Sequence, residues 1–372
     1  MMSVRLRIRV FLLRQLSTAV SSRAVRRFYA GVTTVAAMCT NFKMKQAKDG
    51  SIVVGRSLEF PTLMPTALSV LPKDYAGTGQ APDGGTGKTW TASHGVVGMC
   101  AFGKPEWLLD GMNDAGVSAH LLYMPGGYCT YQPFAGKGED LSQVDMVAYL
   151  LGTCTSIAEV KKAMDGVNIW GVDPGMGFPP PIHCLVHASD GSIAIEFHAH
   201  GWVIVDNPTG VGTNAPYMDW HLTNLGSYVA MTNDNPGAVE VDGMSLAPLG
   251  QGTGLLGLPG DYSPPGRFVR AAAMVHLADQ PADGDEAEQF TAHILNAFDM
   301  VPGLVKESFG KAGTVDEVTV WDSICNLTQG RFAYRTVTNP QWYVVELGST
   351  DFTKPARTQD LNWKGSFTAI AV

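Results

Sequence analysis

Strand-forming and helix-forming segments alternate in blocks along this chain, and their order limits the folds that it can adopt. The runs "CTNFKMK" and "SIVVGRS" flank the turn "AKDG" and predict a β-hairpin over residues 39–57. Further strands are predicted over residues 182–206 and 319–347. Helices are predicted at 140–151, 157–165, 218–226, 267–278 and 285–299. This order favours an α+β fold in which antiparallel sheets lie between helices.

The first 38 residues differ in composition from the rest of the chain. They contain seven arginines, no lysine and no acidic residue, and Asp49 is the first carboxylate. The sequence Arg26-Arg27-Phe28 followed by an uncharged stretch resembles a twin-arginine export signal. We therefore expect residues 1–38 to be a targeting or pro-segment that is removed, and residues 39–372 to form a single domain.

Two alternatives for this segment have different consequences for where the protein acts. An export signal predicts a periplasmic or secreted protein. Translation that begins at Met38 would instead make the protein cytoplasmic, and removal of that methionine would expose Cys39.

Composition and motifs exclude several classes of function. The formal net charge of −8 argues against nucleic-acid partners, and no uncharged apolar run approaches the ~20 residues that span a bilayer. Neither a glycine-rich dinucleotide motif nor a phosphate-binding loop is present. The six cysteines contain no CxxC pair and do not resemble a disulfide scaffold. We expect no cofactor and no membrane span.

Cys39 can carry chemistry if it becomes the first residue. Its α-amine would then have a pKa of ~7.7–8.0 beside a thiol of ~8.5, so that one residue supplies both base and nucleophile. Such a site also needs a cation for the thiolate, an anion for the ammonium and hydrogen-bond donors for an oxyanion. If Cys39 stays internal, it is a small buried residue at the edge of a hairpin.

Five blocks occur in a fixed order along the chain. They are "MCT", "GRSLEF" (55–60), "DGMNDAGVSAHLLYMPGG" (110–127), "NPTGVGTNAPYMDWHLTNLGSY" (207–228) and "GLLGLPGDYSPPGRFVRAA" (254–272). Together they resemble the choloylglycine hydrolase family, which includes bile salt hydrolases and penicillin V acylases. The resemblance implies an N-terminal-nucleophile hydrolase with a four-layer αββα sandwich of antiparallel sheets, which cleaves linear amides with a processed cysteine.

The resemblance also implies roles for individual residues. Cys39 matches the nucleophile, with its α-amine as the base, and Arg56 matches the arginine beside the thiolate. Glu59 stands where many members have an aspartate that holds the α-ammonium, and it is one methylene longer. Asn214 matches the side-chain donor to the oxyanion, and Arg267 matches a second arginine of the site.

Tyr123 affects the expected substrate. It stands where bile salt hydrolases generally have asparagine and some penicillin acylases have tyrosine, and its backbone N–H would be the second oxyanion donor. The resemblance implies a small-molecule N-acyl amide substrate such as penicillin V, a conjugated bile acid or an acyl-homoserine lactone. Tyr123 favours the substrates that are not bile salts. The segment 219–262 matches a stretch that contributes to tetramers in related enzymes, so a homotetramer is expected.

Two other hypotheses remain open at this point. One is a binding protein that keeps the fold but leaves Cys39 internal and inactive. The other is a metal-dependent amidohydrolase that uses histidines of adjacent strands, namely His183, His187, His198 and His200. No HExxH or comparable spacing supports the metal site, and strand histidines more often pack and hydrogen-bond.

Overall fold

The structure is a computed structural model, and it describes residues 38–61, 64–82, 85–125, 127–308 and 313–366. The arginine-rich segment that we predict to be removed lies outside the described residues, except for Met38.

One of the two large sheets has six antiparallel strands. In spatial order these are β14 (Val211–Gly212), β1 (Met38–Lys43), β2 (Val53–Phe60), β19 (Val318–Asn326), β20 (Arg331–Thr336) and β21 (Asn339–Glu346). The hairpin predicted from "CTNFKMK" and "SIVVGRS" is confirmed, because β1 pairs antiparallel with β2. Every residue of β2 is buried, as expected for a strand that is covered on both faces.

The second large sheet has eight antiparallel strands. In spatial order these are β13 (Gly201–Asp206), β12 (Gly191–His198), β11 (Ile182–Ala188), β8 (Ser118–Tyr123), β7 (Leu108–Asn113), β6 (Val96–Ala101), β3 (Thr66–Leu71) and β22 (Arg357–Gln359). The three strands predicted over residues 182–206 are confirmed as β11, β12 and β13.

The described residues form five α-helices, four of which pack on the outer faces of the two large sheets. They are α1 (Met146–Thr153), α2 (Ile157–Met164), α3 (Met218–Asn224), α4 (Pro264–Leu277) and α5 (Gly284–Asn296). Helix α4 packs on β1 and helix α5 packs on β2 and β19, whereas α1 and α2 pack on the eight-stranded sheet. The two sheets share one apolar core that includes Phe42, Leu58, Val97 and Leu122. The predicted four-layer αββα sandwich is therefore confirmed.

Close packing of α5 against β2 depends on a glycine next to Arg56. A Cβ atom on Gly55 would lie 2.5 Å from Cγ2 of Thr291 in α5 and 2.9 Å from the ring of Phe42. Real Cβ atoms do not approach other atoms so closely, so a side chain at this position would push the helix away from the strand.

The predicted start of helix α2 is confirmed, whereas the predicted start of helix α1 is wrong. The Ser156 hydroxyl accepts a hydrogen bond from the Glu159 N–H (3.2 Å), which confirms the predicted start of α2. The helix predicted from residue 140 begins only at Met146, because residues 140–142 form a short strand instead. There, the carboxylate of Asp140 accepts hydrogen bonds from the backbone of the loop before it.

The remaining strands are short and lie outside the two large sheets. They are β4 (Ala76–Thr78), β5 (Thr89–Thr91), β9 (Asp140–Ser142), β10 (Asn168–Trp170), β15 (Val239–Val241), β16 (Met244–Leu246), β17 (Lys306–Ser308) and β18 (Thr314–Asp316). Within the described ranges, every helix is too short or too polar to cross a membrane.

Candidate active site

Cys39 lies on β1 with its side chain in the space between the two sheets. It pairs with Leu58 of β2, and residues that pair directly share one face of a sheet. Its side chain is buried, and it lines a cavity of about 80 Å³. The rest of the lining is apolar or aromatic apart from Arg56, and includes Phe60, Met64, Phe102, Trp107, Tyr123, Met176 and Ile182.

Arg56 is the cation that lies next to the Cys39 thiol. It lies two residues before Leu58 on β2, so it points to the same face as Cys39. Its guanidinium lies 3.6 Å from the sulfur and donates hydrogen bonds to the carbonyls of Leu109 (2.7 Å) and Leu121 (2.6 Å). The guanidinium is fully buried and also lies over the ring of Trp321, 4.9 Å from its centre.

Two irregularities of the eight-stranded sheet provide the carbonyls that hold Arg56. Cys100 pairs with Leu108 and Met99 pairs with Asp110, so the intervening Leu109 is a bulge residue without a partner on β6. The β7–β8 ladder ends where Asp110 pairs with His120. Both carbonyls are therefore available to a side chain from the other sheet.

Asp110 is a member of the site that sequence reasoning missed. Its carboxylate lies 3.7 Å from Arg56 and 2.6 Å from Nδ1 of His120, and it accepts a short hydrogen bond from the Ser323 hydroxyl. Burial acts to raise the pKa of Asp110, but His120, Arg56 and Ser323 together hold this pKa below its ordinary value. The available signal was a single carboxylate in the otherwise uncharged strand "LLDGMN".

Asn214 connects Cys39 to the other side of the site. Its side-chain oxygen accepts hydrogen bonds from the Cys39 backbone N–H (3.1 Å) and from Arg267 (2.6 Å). Its side-chain nitrogen donates to the carbonyl of Tyr123 (2.7 Å). Four of the predicted residues are therefore brought together through one amide group.

Arg267 lies on α4 and reaches the backbone of Cys39 from the helix side of the sheet. Besides Asn214, it donates to the Cys39 carbonyl and to the Thr40 hydroxyl, and its Nε donates to the Tyr262 carbonyl. No hydrogen bond joins it to the Cys39 sulfur among the described residues. Its contacts place it as the group that orients Asn214 and the nucleophile's backbone, while Arg56 is the cation at the thiol.

Two opposing influences act on the Cys39 thiol while Met38 precedes it. Burial raises the pKa of the Cys39 thiol above its ordinary value, and the charge of Arg56 counteracts this effect. The nearby Glu59 carboxylate raises this pKa further, whereas hydrogen bonds from Arg56 and from the Tyr123 backbone lower it. Burial outweighs these donors while Met38 precedes Cys39, so the pKa of the thiol stays above its ordinary value.

Glu59 lies on the opposite face of β2, towards helix α4. It pairs with Met38 on one side and with Thr319 on the other. Its side chain is fully buried, and burial raises its pKa to about 8, against the opposing charge of Arg267. The predicted anion is thus next to the residue that would have to leave before Cys39 becomes the N-terminus.

The four histidines of the metal hypothesis are not assembled as one set of ligands. His183 contacts the Thr213 carbonyl, and His187 lies between Ser192 and Asn41. His198 stacks on the ring of Tyr217. In the part of the chain that is described, one group of three potential ligand atoms lies within 4.8 Å, and it consists of Asp110, His120 and Cys325.

That group is a poor site for a cation. The carboxylate of Asp110 already faces the positive charge of Arg56. Burial, together with the charge of Asp110, raises the pKa of the Cys325 thiol well above its ordinary value, and a protonated thiol is a weak ligand. The geometry is that of a hydrogen-bonded network behind Arg56.

Comparison with known sequences gives an independent line of information. The sequence profile of the linear amide C–N hydrolases of the choloylglycine hydrolase family matches residues 39–362. A bile salt hydrolase/transferase from Lactiplantibacillus plantarum is 34% identical over 241 residues, which cover 64% of this chain and 72% of that protein. A bile salt hydrolase/transferase from Clostridium perfringens is 29% identical over 315 residues, which cover 83% of this chain and 92% of that protein.

Solved structures show the same fold. A mutant conjugated bile acid hydrolase from Clostridium perfringens superposes with a TM-score of 0.77 at 27% identity, covering 90% of this chain and 100% of that one. A penicillin V acylase from Agrobacterium tumefaciens gives a TM-score of 0.69 at 20% identity, covering 87% and 92% of the two chains.

Proposed function

Since this chain belongs to the choloylglycine hydrolase family and is a linear amide hydrolase, we propose that it cleaves N-acyl amides through a thioester on Cys39. One observation carries the proposal. The Cys39 sulfur lies 3.6 Å from the buried Arg56 guanidinium, at an apolar cavity, while its backbone is held by Asn214.

The reaction begins when Cys39 is the N-terminal residue. Its α-amine takes the thiol proton, directly or through one water, and Arg56 stabilises the thiolate. The sulfur attacks the amide carbonyl carbon, and a C–S bond forms as the carbonyl oxygen becomes an oxyanion. The α-ammonium then gives its proton to the leaving nitrogen and the C–N bond breaks. Water hydrolyses the thioester through a second oxyanion and restores the thiol.

We propose that the Asn214 side chain and the Tyr123 backbone N–H donate hydrogen bonds to the oxyanion. A side-chain amide has two N–H donors, and Asn214 uses one for the Tyr123 carbonyl. The second N–H of Asn214 is assigned to the oxyanion, together with the Tyr123 N–H. The Tyr123 N–H donates to the Cys39 sulfur and is therefore close to the carbon that the sulfur attacks. Arg267 fixes the oxygen of Asn214 and so sets the direction of the donating nitrogen.

The cavity supports an apolar, aromatic acyl group as the preferred substrate part. Arg56 is the charged residue among those that line it, and Phe60, Phe102, Trp107 and Tyr123 offer ring faces. A phenoxyacetyl amide such as penicillin V fits this lining better than a hydroxylated steroid. The expected order of kcat/KM is therefore penicillin V above glycine- or taurine-conjugated bile acids, with acyl-homoserine lactones as the third class to test.

The way in which Cys39 becomes the N-terminus and the compartment in which the enzyme acts are parts of one proposal. We propose that residues 1–38 are removed and that the remaining chain is one domain with Cys39 as its first residue. Export would place the enzyme in the periplasm or outside the cell, whereas initiation at Met38 followed by methionine removal would place it in the cytoplasm. In either case Met38 must leave, because an internal Cys39 has no α-amine to act as base.

A homotetramer is also proposed. The hairpin of β15 and β16 is exposed along both strands, and it carries the apolar side chains Val239, Val241, Met244 and Leu246. Exposed apolar groups of this extent are typical of protein interfaces. Light scattering on the purified protein measures the molar mass, and a monomer at micromolar concentration would contradict the proposal.

The test of the reaction joins terminal sequencing with a matched pair of variants. Intact mass and N-terminal sequencing of the protein from its own host identify the first residue. Cys39→Ser is expected to lose turnover by at least ~10³-fold while its melting temperature stays close to that of the parent. Cys129→Ser removes a half-buried thiol that does not line the cavity and serves as the control.

Each outcome of this test is decisive for one hypothesis. Full activity in Cys39→Ser would reject the thioester mechanism. Loss of activity with a chelator, together with an active Cys39→Ser, would support the metal hypothesis instead. A native chain that retains Met38 and has no activity would support the binding protein.

A further inference from the structure

A second buried carboxylate lies near Glu59 and has no role in the mechanism so far. Glu317 precedes β19, and its side chain is as fully buried as that of Glu59. Oε2 of Glu59 and both side-chain oxygens of Glu317 have no hydrogen-bond partner among the described residues. Buried polar atoms of this kind are rare in native proteins, because each costs free energy unless a partner satisfies it.

The two carboxylates lie near each other at the start of β19, on the helix side of the six-stranded sheet. Glu59 pairs with Thr319 and accepts a hydrogen bond from its hydroxyl (3.4 Å), so both point to the helix side. Glu317 lies two residues before Thr319, directly before β19, and the charge of Glu59 acts on its carboxylate. Side chains in such diagonal positions are within reach of each other when they are long. Met38 pairs with Glu59 from the other side and belongs to the same face.

The carboxylates of Glu59 and Glu317 have few positively charged partners. Burial raises the pKa of Glu317 to about 9, and Glu59 and Glu307 raise it further, whereas Arg267 lowers it. Asp322 adds to the raised pKa of Glu59, while Arg267 and Arg56 oppose it. Arg267 already donates to four acceptors, among them Asn214 and the Cys39 carbonyl.

We infer that Glu317 is a positioning residue that, together with Glu59, holds the α-ammonium of the processed Cys39. This inference rests on the proposed function. The peptide nitrogen of Cys39 has one N–H, which donates to Asn214. An α-ammonium has three N–H groups and a positive charge, so loss of Met38 supplies two further donors and a counter-charge on the face where the unpartnered oxygens lie.

A second carboxylate beside the α-ammonium changes the strength of the base. Two carboxylates stabilise the ammonium form and keep the pKa of the α-amine above the value that one carboxylate would give. Glu317 therefore adjusts the pH at which the amine can accept the thiol proton, without touching the substrate.

The test measures the α-amine itself in a chain whose first residue is verified by intact mass. Cys39→Ser removes the competing thiol, and the pH dependence of N-terminal acylation, followed by mass spectrometry of the N-terminal peptide, gives the pKa of the amine. Adding Glu317→Gln is expected to lower this pKa by about one unit, which increases the acylation rate about tenfold at a pH below both pKa values. Glu288→Gln, which removes a partly buried carboxylate that contacts Asn326 and Arg331, is expected to leave it unchanged.

The possible results separate the inference from the proposed function. An unchanged amine pKa in Glu317→Gln, or equal shifts in the Glu317 and Glu288 variants, would overturn the inference. If Glu317→Gln does not fold, Glu317→Leu fills a similar volume without needing a donor, and the same shift is expected. Failure of the processed parent to hydrolyse any N-acyl amide would reject the proposed function, while the amine titration would still decide the role of Glu317.

Discussion

Asn214→Ala tests the centre of the site, because this one side chain contacts the nucleophile, an arginine and the proposed oxyanion position. The substitution removes its hydrogen bonds with the Cys39 N–H, Arg267 and the Tyr123 carbonyl. Loss of one oxyanion donor typically lowers kcat by ~10²–10³, or ~2.7–4 kcal/mol. We therefore expect kcat to fall by this factor and KM to change much less.

The same substitution also affects stability. Arg267 and the Cys39 N–H lose a buried acceptor, and one unsatisfied buried group costs ~1–3 kcal/mol. Asn214→Asp separates the two effects. Its carboxylate can still accept from Arg267, so it is expected to be more stable than Asn214→Ala, but it places a negative charge against the oxyanion and is expected to be no more active.

The assay is steady-state hydrolysis of one N-acyl amide, with urea unfolding measured on the same preparations. Asn207→Ala is the control, since Asn207 is buried and bonded to Val211 and Thr209 but does not line the cavity. It is expected to lose stability and keep kcat. The reasoning is refuted if Asn214→Ala keeps kcat and raises KM, or if Asn214→Asp restores turnover.

Two further predictions concern charge in the site. Arg56→Lys is expected to shift the pH profile of Cys39 alkylation by about one unit or more to higher pH, because an ammonium cannot hold both carbonyls and the sulfur as the guanidinium does; an unchanged profile would remove Arg56 from the thiol. In a chain that retains Met38, the folded protein keeps the Glu59 proton up to about pH 8, whereas the unfolded chain loses it near pH 4.5. The free energy of unfolding is therefore expected to fall between these two pH values, by ~1.4 kcal/mol for each unit of pKa shift. Urea unfolding at several pH values measures this loss, and Glu59→Gln should reduce the slope; an equal slope in both chains would contradict the prediction.

The sequence predicted the layers of the fold because local patterns carry them. The β1–β2 hairpin, the three strands from 182 to 206 and the cap of α2 at Ser156 follow from alternation, turn residues and capping. The start of α1 was placed too early, because the side chain of Asp140 bonds to a preceding loop, and local periodicity does not record such a bond.

The site was predicted in part, and the rest depends on contacts between distant segments. Position in the five blocks placed Cys39, Arg56, Asn214 and Arg267 together, and the structure brings them together. Asp110 could not be recognised as the partner of Arg56, since the two residues lie on different sheets. Glu317 lies outside the five blocks, and it becomes relevant only because β19 pairs with β2. The catalytic roles of all these residues remain predictions.

Arg56 lies on one sheet but is held by carbonyls of the other, so the packing between the two sheets affects the site. The distance between the two layers sets the position of the guanidinium, and therefore how strongly it acts on the Cys39 sulfur. Substitutions in the shared core, far from any substrate, will consequently alter the reactivity of the thiol before they unfold the protein. The rate of Cys39 alkylation therefore reports on the packing between the two sheets.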